Sequence, residues 1–233
     1  MRLIWRTGRW ALVVGAGFFL VYQAYFFVQV WFLRSAEPAT TAFMAIEQQR
    51  LSRLNPPRTI RQQWVAYDRV SRYAKRAVIA AEDSGFTAHR GIEWDAIEQA
   101  LRTNRESGEI RFGGSTITMQ LAKNLYLSPA RSYWRKGQEI LIATMLESTL
   151  DKTRILELYL NLVEWGDGVF GIEAAARHYF GVSAGQINPW QAAWLASILP
   201  APKRYDRDRR SQWIERKAGV ILRRMPLVSL PSE

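Results

Sequence analysis

The sequence predicts a mainly α-helical protein: one N-terminal membrane-crossing helix, then a single helical domain. Three observations carry this. Residues 11–33 contain no charged side chain. At about 1.5 Å per helical residue they span roughly 34 Å, enough for a hydrocarbon core of about 30 Å. Beyond them, apolar residues recur at three- and four-residue spacing in one stretch after another, while strand-like alternation is scarce. Finally, 233 residues at 48% hydrophobic and 12% aromatic allow one domain of ordinary size plus an appendage and rule out wholesale disorder.

Residues 1–10 read as a cytoplasmic tail, because Arg2, Arg6 and Arg9 precede the apolar run without an acid among them. Trp5, Trp10 and Trp31 stand where interfacial aromatics sit. A cleaved signal peptide would have an apolar region of about 7–15 residues and a small-x-small cleavage site. Here the run is longer and Trp31-Phe32-Leu33-Arg34 is a poor site, so 11–33 is expected to stay as an anchor. Everything after Leu33 is then expected on the exported side, although Arg50, Arg53, Arg58 and Arg61 partly offset the charge asymmetry.

Residues 34–60 have a mixed composition broken by Asn55-Pro56-Pro57, and read as a stalk or lead-in to the domain at 61–233. Within it, helices are predicted over 65–83, 94–107, 115–125, 135–150, 153–165, 172–180 and 189–199. Ser115 or Thr116 is the expected cap of the third of these. One hairpin fits 109–112.

Composition narrows the chemistry. With no cysteine, disulfide scaffolds, thiolate metal sites and cysteine nucleophiles are all excluded. Two histidines, His89 and His178, do not suggest a His-rich metal site. A net charge of +11 points to an anionic partner: nucleic acid, a membrane surface or a phosphorylated substrate. Residues 203–224 hold nine Lys/Arg against Asp206, Asp208 and Glu215, either as a solvated helix face or as a contact for anionic headgroups.

Candidate site residues come from helix faces. On 115–125, Thr116, Gln120, Lys123 and Asn124 share one face at a glycine-led helix start, which favours anions. An ordinary amphipathic surface helix has the same pattern. Arg135, Lys136 and Glu139 are either an i,i+4 ion pair worth a few tenths of a kcal/mol or a carboxylate held between cations. Glu82 and Asp83 end an apolar helix, where the dipole disfavours negative charge. Gly166-x-Gly168-x-x-Gly171 follows a helical run rather than a strand, so it is read as a tight loop between helices, not a dinucleotide fingerprint.

Longer stretches say more. Glu82-Asp-Ser-Gly-Phe86-Thr-Ala-His89-Arg-Gly91 resembles the first motif of the peptidoglycan glycosyltransferases of family 51. Gly113-Gly-Ser-Thr-Ile-Thr-Met-Gln-Leu-Ala-Lys-Asn124 resembles the second, Arg135-Lys136-x-x-Glu139 the third, and Arg154-Ile-Leu-Glu-Leu-Tyr-Leu-Asn161 the fourth. Gly171-Ile-x-x-Ala-Ala-x-x-Tyr-Phe-Gly181 is similar to the stretch that follows. They occur in family order within residues 70–200, and the chain looks like a monofunctional member, with no room for a transpeptidase domain.

That resemblance implies a lysozyme-like, mainly helical domain with a small jaw near the bilayer, polymerising lipid II at the outer face of the inner membrane. It implies Glu82 as general base, with Glu139 as a second, positioning or charge-stabilising carboxylate. Asp83, Phe86, His89, Ser115, Thr116, Gln120, Lys123, Asn124, Arg135 and Lys136 are implied as substrate-binding. Implied partners are lipid II, the growing lipid-linked strand, membrane lipids and other cell-wall synthesis or division proteins, with no nucleic acid. No cofactor is required, and a divalent cation such as Mg²⁺ is an open companion to the pyrophosphate, its ligands unknown. One departure is Pro200, where bifunctional relatives carry lysine; Lys203 receives no catalytic role. The rivals are a membrane-anchored lysozyme-like hydrolase, which would need a raised-pKa acid and a second carboxylate, and a non-enzymatic basic scaffold on the membrane.

Overall fold

The computed structural model describes residues 2–107, 114–130 and 132–231. The hairpin expected at 109–112, and Gly113, lie outside the described residues. Among the described residues the architecture is mainly helical, as expected, with three very short strands.

Helix α1 (Arg2–Phe32) contains the one segment long and apolar enough to cross a membrane among the described residues, Leu12–Phe32. Leu12, Val13, Phe18, Leu20 and Val21 are exposed, as lipid-facing residues would be, whereas Phe26, Val30 and Leu33 are buried against the domain. The 34–60 segment is not a free stalk. Helix α2 (Ala42–Ser52) forms inside it, started by Thr41, whose hydroxyl accepts the Met44 N–H at 3.1 Å. Met44 and Leu51 pack into the core, and Arg50 bridges Glu47 to Asp167.

Helix α3 (Arg72–Glu82) begins later than its apolar pattern suggests. Residues 67–69 make only a single 3₁₀ turn. The reason is tertiary: Asn161 accepts the Val65 N–H at 2.9 Å and donates to the Val65 carbonyl at 2.9 Å, and Glu157 accepts the Tyr67 N–H at 3.1 Å. With these backbone groups satisfied from another helix, the segment needs no helical ladder of its own. Helix α4 (Trp94–Ser107) has its expected bounds. Helices α5 (Ile117–Tyr126), α6 (Tyr133–Thr149) and α7 (Lys152–Leu162) each open on a side-chain cap: Thr116, Ser132 and Asp151.

The stretch expected to continue α7 to Trp165 instead turns into strand β2 (Glu164–Gly166), which pairs antiparallel with β3 (Val169–Phe170). Strand β1 (Arg61–Gln62) runs parallel to β3, giving the order β1-β3-β2. The three spaced glycines therefore shape a hairpin, not a loop between helices. Gly171 sits at φ +79°, and a Cβ there would lie 2.8 Å from the Asn161 carbonyl oxygen. Helix α8 (Ile172–Phe180) ends on Gly181 in the left-handed region.

Helix α9 (Pro189–Ile198) is buried from Ala192 to Ile198 and forms the centre of the core, with α3 and α11 (Gln212–Arg224) packed on it. Helix α10 (Pro202–Arg207) lies against β2. The basic C-terminal region is thus folded into the domain, burying Ile214, Ala218 and Ile221.

Candidate active site

Glu82 is the last residue of α3, and Asp83 caps it. Asp83 is buried and faces inward. Its Oδ2 accepts the Ile117 N–H at 2.9 Å, satisfying an orphan donor in the first turn of α5. Its Oδ1 lies 2.8 Å from His89 Nε2, while His89 Nδ1 accepts the Gly91 N–H at 3.1 Å. The proton therefore sits on Nε2 and is donated to Asp83. Thr116 donates to the Gly91 carbonyl at 2.6 Å and accepts the Met119 N–H at 3.1 Å. Phe86 has no exposed surface, stands edge-on to His89, and carries the Lys152 ammonium 4.4 Å from its ring centre.

Asp83, Phe86, His89 and Thr116, implied above as substrate-binding, are joined by these contacts to one another and to the start of α5. Asp83 and Thr116 also line the cavity beside Glu82. Asn124 donates a side-chain N–H to the Gln120 carbonyl at 2.9 Å.

Glu82 itself is partly exposed and borders a cavity of about 160 Å³ with Ser84, Glu93, Ser115 and Arg224. Gln120 donates to Glu82 Oε2 at 2.8 Å, and the Tyr159 hydroxyl donates to Gln120 Oε1 at 3.0 Å. Tyr159 is buried, and burial together with the two neighbouring carboxylates pushes its pKa well up, so it stays a donor. The chain Tyr159–Gln120–Glu82 holds one carboxylate oxygen in place. Burial raises the Glu82 pKa, with a smaller push from Asp83; Gln120, Lys217 and Lys123 pull the other way. The cause that dominates is desolvation.

The second carboxylate, Glu139, is buried and paired with Arg135 and, at 2.6 Å, with Lys136. Lys136 Nζ also donates to Ser115 Oγ at 2.7 Å, tying α6 to the start of α5. Lys123 lies in the field of both carboxylates: burial lowers its pKa, Arg135 and Lys136 lower it further, and Glu139 and Glu82 oppose. Its ammonium lies 5.7 Å from the Phe43 ring centre, so α2 closes this flank. The structure thus brings Glu82, Gln120, Lys123, Ser115, Arg135, Lys136 and Glu139 together from α3, α5 and α6.

Three residues were missed by sequence reasoning. Tyr159 lies in the stretch 154–161 that resembles the fourth motif, but on the buried side of α7 nothing separates it from the core residues around it. Lys217 and Arg224, seven apart on α11, were read as part of a basic surface. Arg224 instead lines the Glu82 cavity, and Lys217 is partly buried, its pKa lowered by that burial and held up by Glu82. Their spacing beside buried Ile214, Ala218 and Ile221 is the signal that was available. Lys203 is engaged by Glu47 and, at 3.3 Å, by Glu164.

Ligand atoms of Asp83, His89 and Glu93 lie within 4.8 Å of one another, and in this arrangement Asp83 and His89 are hydrogen-bonded to each other.

Residues 47–226 match the sequence profile of the family described as Transglycosylase. The chain is 47% identical over 231 residues, 99% of its length and all of the relative's, to a biosynthetic peptidoglycan transglycosylase of Janthinobacterium sp. (strain Marseille). A protein of the same name from Burkholderia orbicola (strain MC0-3) is 50% identical over 226 residues, 96% of this chain and 92% of the relative. The matched span takes in α3, α5 and α6, which carry both carboxylates and the cations beside them, and with that reach of similarity the chain belongs to the transglycosylase family.

Proposed function

We propose that this protein is a peptidoglycan glycosyltransferase that polymerises lipid II into linear glycan strands, with Glu82 as general base. The observation that carries the assignment is Glu82 itself: a carboxylate raised by burial, fixed through one oxygen by Gln120, and flanked by cations on two other helices. Glu82 takes the proton from the acceptor's 4-hydroxyl. That oxygen forms a bond to the anomeric carbon of the donor with inversion, making the β-1,4 linkage. The anomeric carbon–phosphate oxygen bond breaks, and its electron pair leaves with undecaprenyl pyrophosphate. Positioned proton transfer of this kind contributes about 10²–10⁴-fold.

Lys123, Arg135 and Lys136 face the developing pyrophosphate charge, which needs cations rather than a protonated acid. Glu139, held between Arg135 and Lys136, sets their positions. A glycan hydrolase would need its second carboxylate free to act on sugar or water, and Glu139 is committed to its two cations. The apolar α1 is consistent with membrane anchoring and suits a substrate that stays in the bilayer. The arginines before it favour a cytoplasmic N-terminus with the domain exported.

Purified full-length protein in vesicles with labelled lipid II tests the reading. Polymer and released undecaprenyl pyrophosphate are expected from wild type. Glu82→Gln should abolish polymerisation while still binding lipid II. Near wild-type polymerisation by folded Glu82→Gln would remove Glu82 from the base role; fragments from preformed glycan, without polymer, would point to hydrolysis.

A further inference from the structure

Gln23 and Gln29 are the strongly polar side chains inside the apolar run 11–33. An amide carried into hydrocarbon without a partner is costly. Gln23 has one, distant in sequence: its Nε2 donates to Gln138 Oε1 at 2.9 Å, and Gln138 Nε2 donates back to Gln23 Oε1 at 3.0 Å. The pair is closed and reciprocal, so each amide satisfies the other. Gln138 is buried on α6, directly before Glu139.

Other contacts make the same half of α1 part of the domain. Phe26 packs edge-on to Tyr126, the last residue of α5, at 5.6 Å between ring centres. Val30 and Leu33 are buried. Arg154 of α7 donates to the Leu33 carbonyl at 2.9 Å and the Ala36 carbonyl at 2.7 Å, which latches the chain where α1 ends. Apolar contacts alone tolerate rotation of a smooth helix. The amide pair does not, because turning α1 by one residue would strand two amides in an apolar setting.

We propose that Gln23 is a positioning residue for the reaction: its reciprocal amide pair with Gln138 sets the rotation of the anchor helix against α6, and so keeps Arg135, Lys136 and Glu139 in register with Glu82. The anchor is then a wall of the catalytic unit and not merely a tether. This rests on the glycosyltransferase reading above.

The test uses full-length protein in vesicles containing labelled lipid II. Gln23→Leu, which suits the bilayer but cannot pair, should lower kcat by about three- to tenfold, in line with interhelical polar contacts in membranes. Because the chain has no cysteine, a Gln23→Cys/Gln138→Cys variant offers two unique thiols. Before bridging it should show the same loss. A two-carbon bis-methanethiosulfonate bridge should restore most of the rate, and dithiothreitol should remove that gain again. A defect of folding alone would not follow the bridge on and off. The proposal is overturned if Gln23→Leu turns over at the wild-type rate, if the bridge does not form, or if the bridged protein is no faster than the unbridged one. A wild-type control that makes no polymer would instead refute the glycosyltransferase reading.

Discussion

Gln120 donates a hydrogen bond to the charged form of Glu82 and so pulls its pKa down against the effect of burial. Gln120→Met keeps most of the side-chain volume and removes that donor. A hydrogen bond to a charged group is worth about 1.5–3 kcal/mol. Losing it removes that preference for the charged form, so the Glu82 pKa moves further up. The sign for activity follows from the role of the base. Only ionised Glu82 accepts a proton, so activity is lost as pH falls through its pKa, and the acidic limb of the rate profile should move to higher pH, with the rate at a fixed pH on that limb falling about tenfold or more. Lys217→Met, which removes a cation in the field of the same carboxylate, should move the limb in the same direction but less, because that charge acts through space and not through a hydrogen bond. Tyr159→Phe should move it least, since it frees Gln120 without removing it. The assay is the initial rate of lipid II polymerisation from about pH 5 to 9. An acidic limb that stays put, or moves down, in Gln120→Met would refute the claim that this limb reports Glu82.

Three other outcomes are expected. Glu139→Gln leaves Arg135 and Lys136 without their shared carboxylate; thermal or denaturant unfolding should show a loss of about 2–3 kcal/mol, below the usual figure for a broken buried pair because Lys136 keeps 35% of its side chain exposed. The variant should retain a small measurable rate. Lys136→Ala should weaken a phosphate-bearing donor mimic at least about tenfold more than a phosphate-free glycan acceptor; equal losses in titration would show that Lys136 only holds the fold. A reporter fused at residue 40 should be active only if it works outside the cytoplasm, and signal from a cytoplasm-only reporter there would reverse the proposed orientation.

The first-motif carboxylates and the cations of α5 and α6 were legible because they stand in ordered stretches of sequence. The frame around them was not. Asp83, His89 and Thr116 stand in the motifs, and only the hydrogen bonds to Ile117, Gly91 and Met119 show that they also join the first motif to α5. The pKa of Glu82 is raised, in the direction that its place at a helix end suggests. The first cause is burial, which depends on what packs against Glu82 and is invisible in its own helix.

The sequence by itself determined what is encoded over a few neighbouring residues: the long apolar helix, the bounds of α4 and α8, the cap of α5, and the mainly helical class. Periodicity, capping side chains and a stopping glycine act within one or two turns, so they can be read without the fold. Tertiary structure decided the rest. Asn161 and Glu157 took the backbone of 65–67 out of a helix, the 164–170 segment became a hairpin against β1, and α11 turned part of a basic tail toward Glu82. Gln23 is the extreme case, a polar residue whose partner lies 115 positions away. Contacts of that range leave no period along the chain, because their energy is realised only when separate helices close the same unpaired groups against one another.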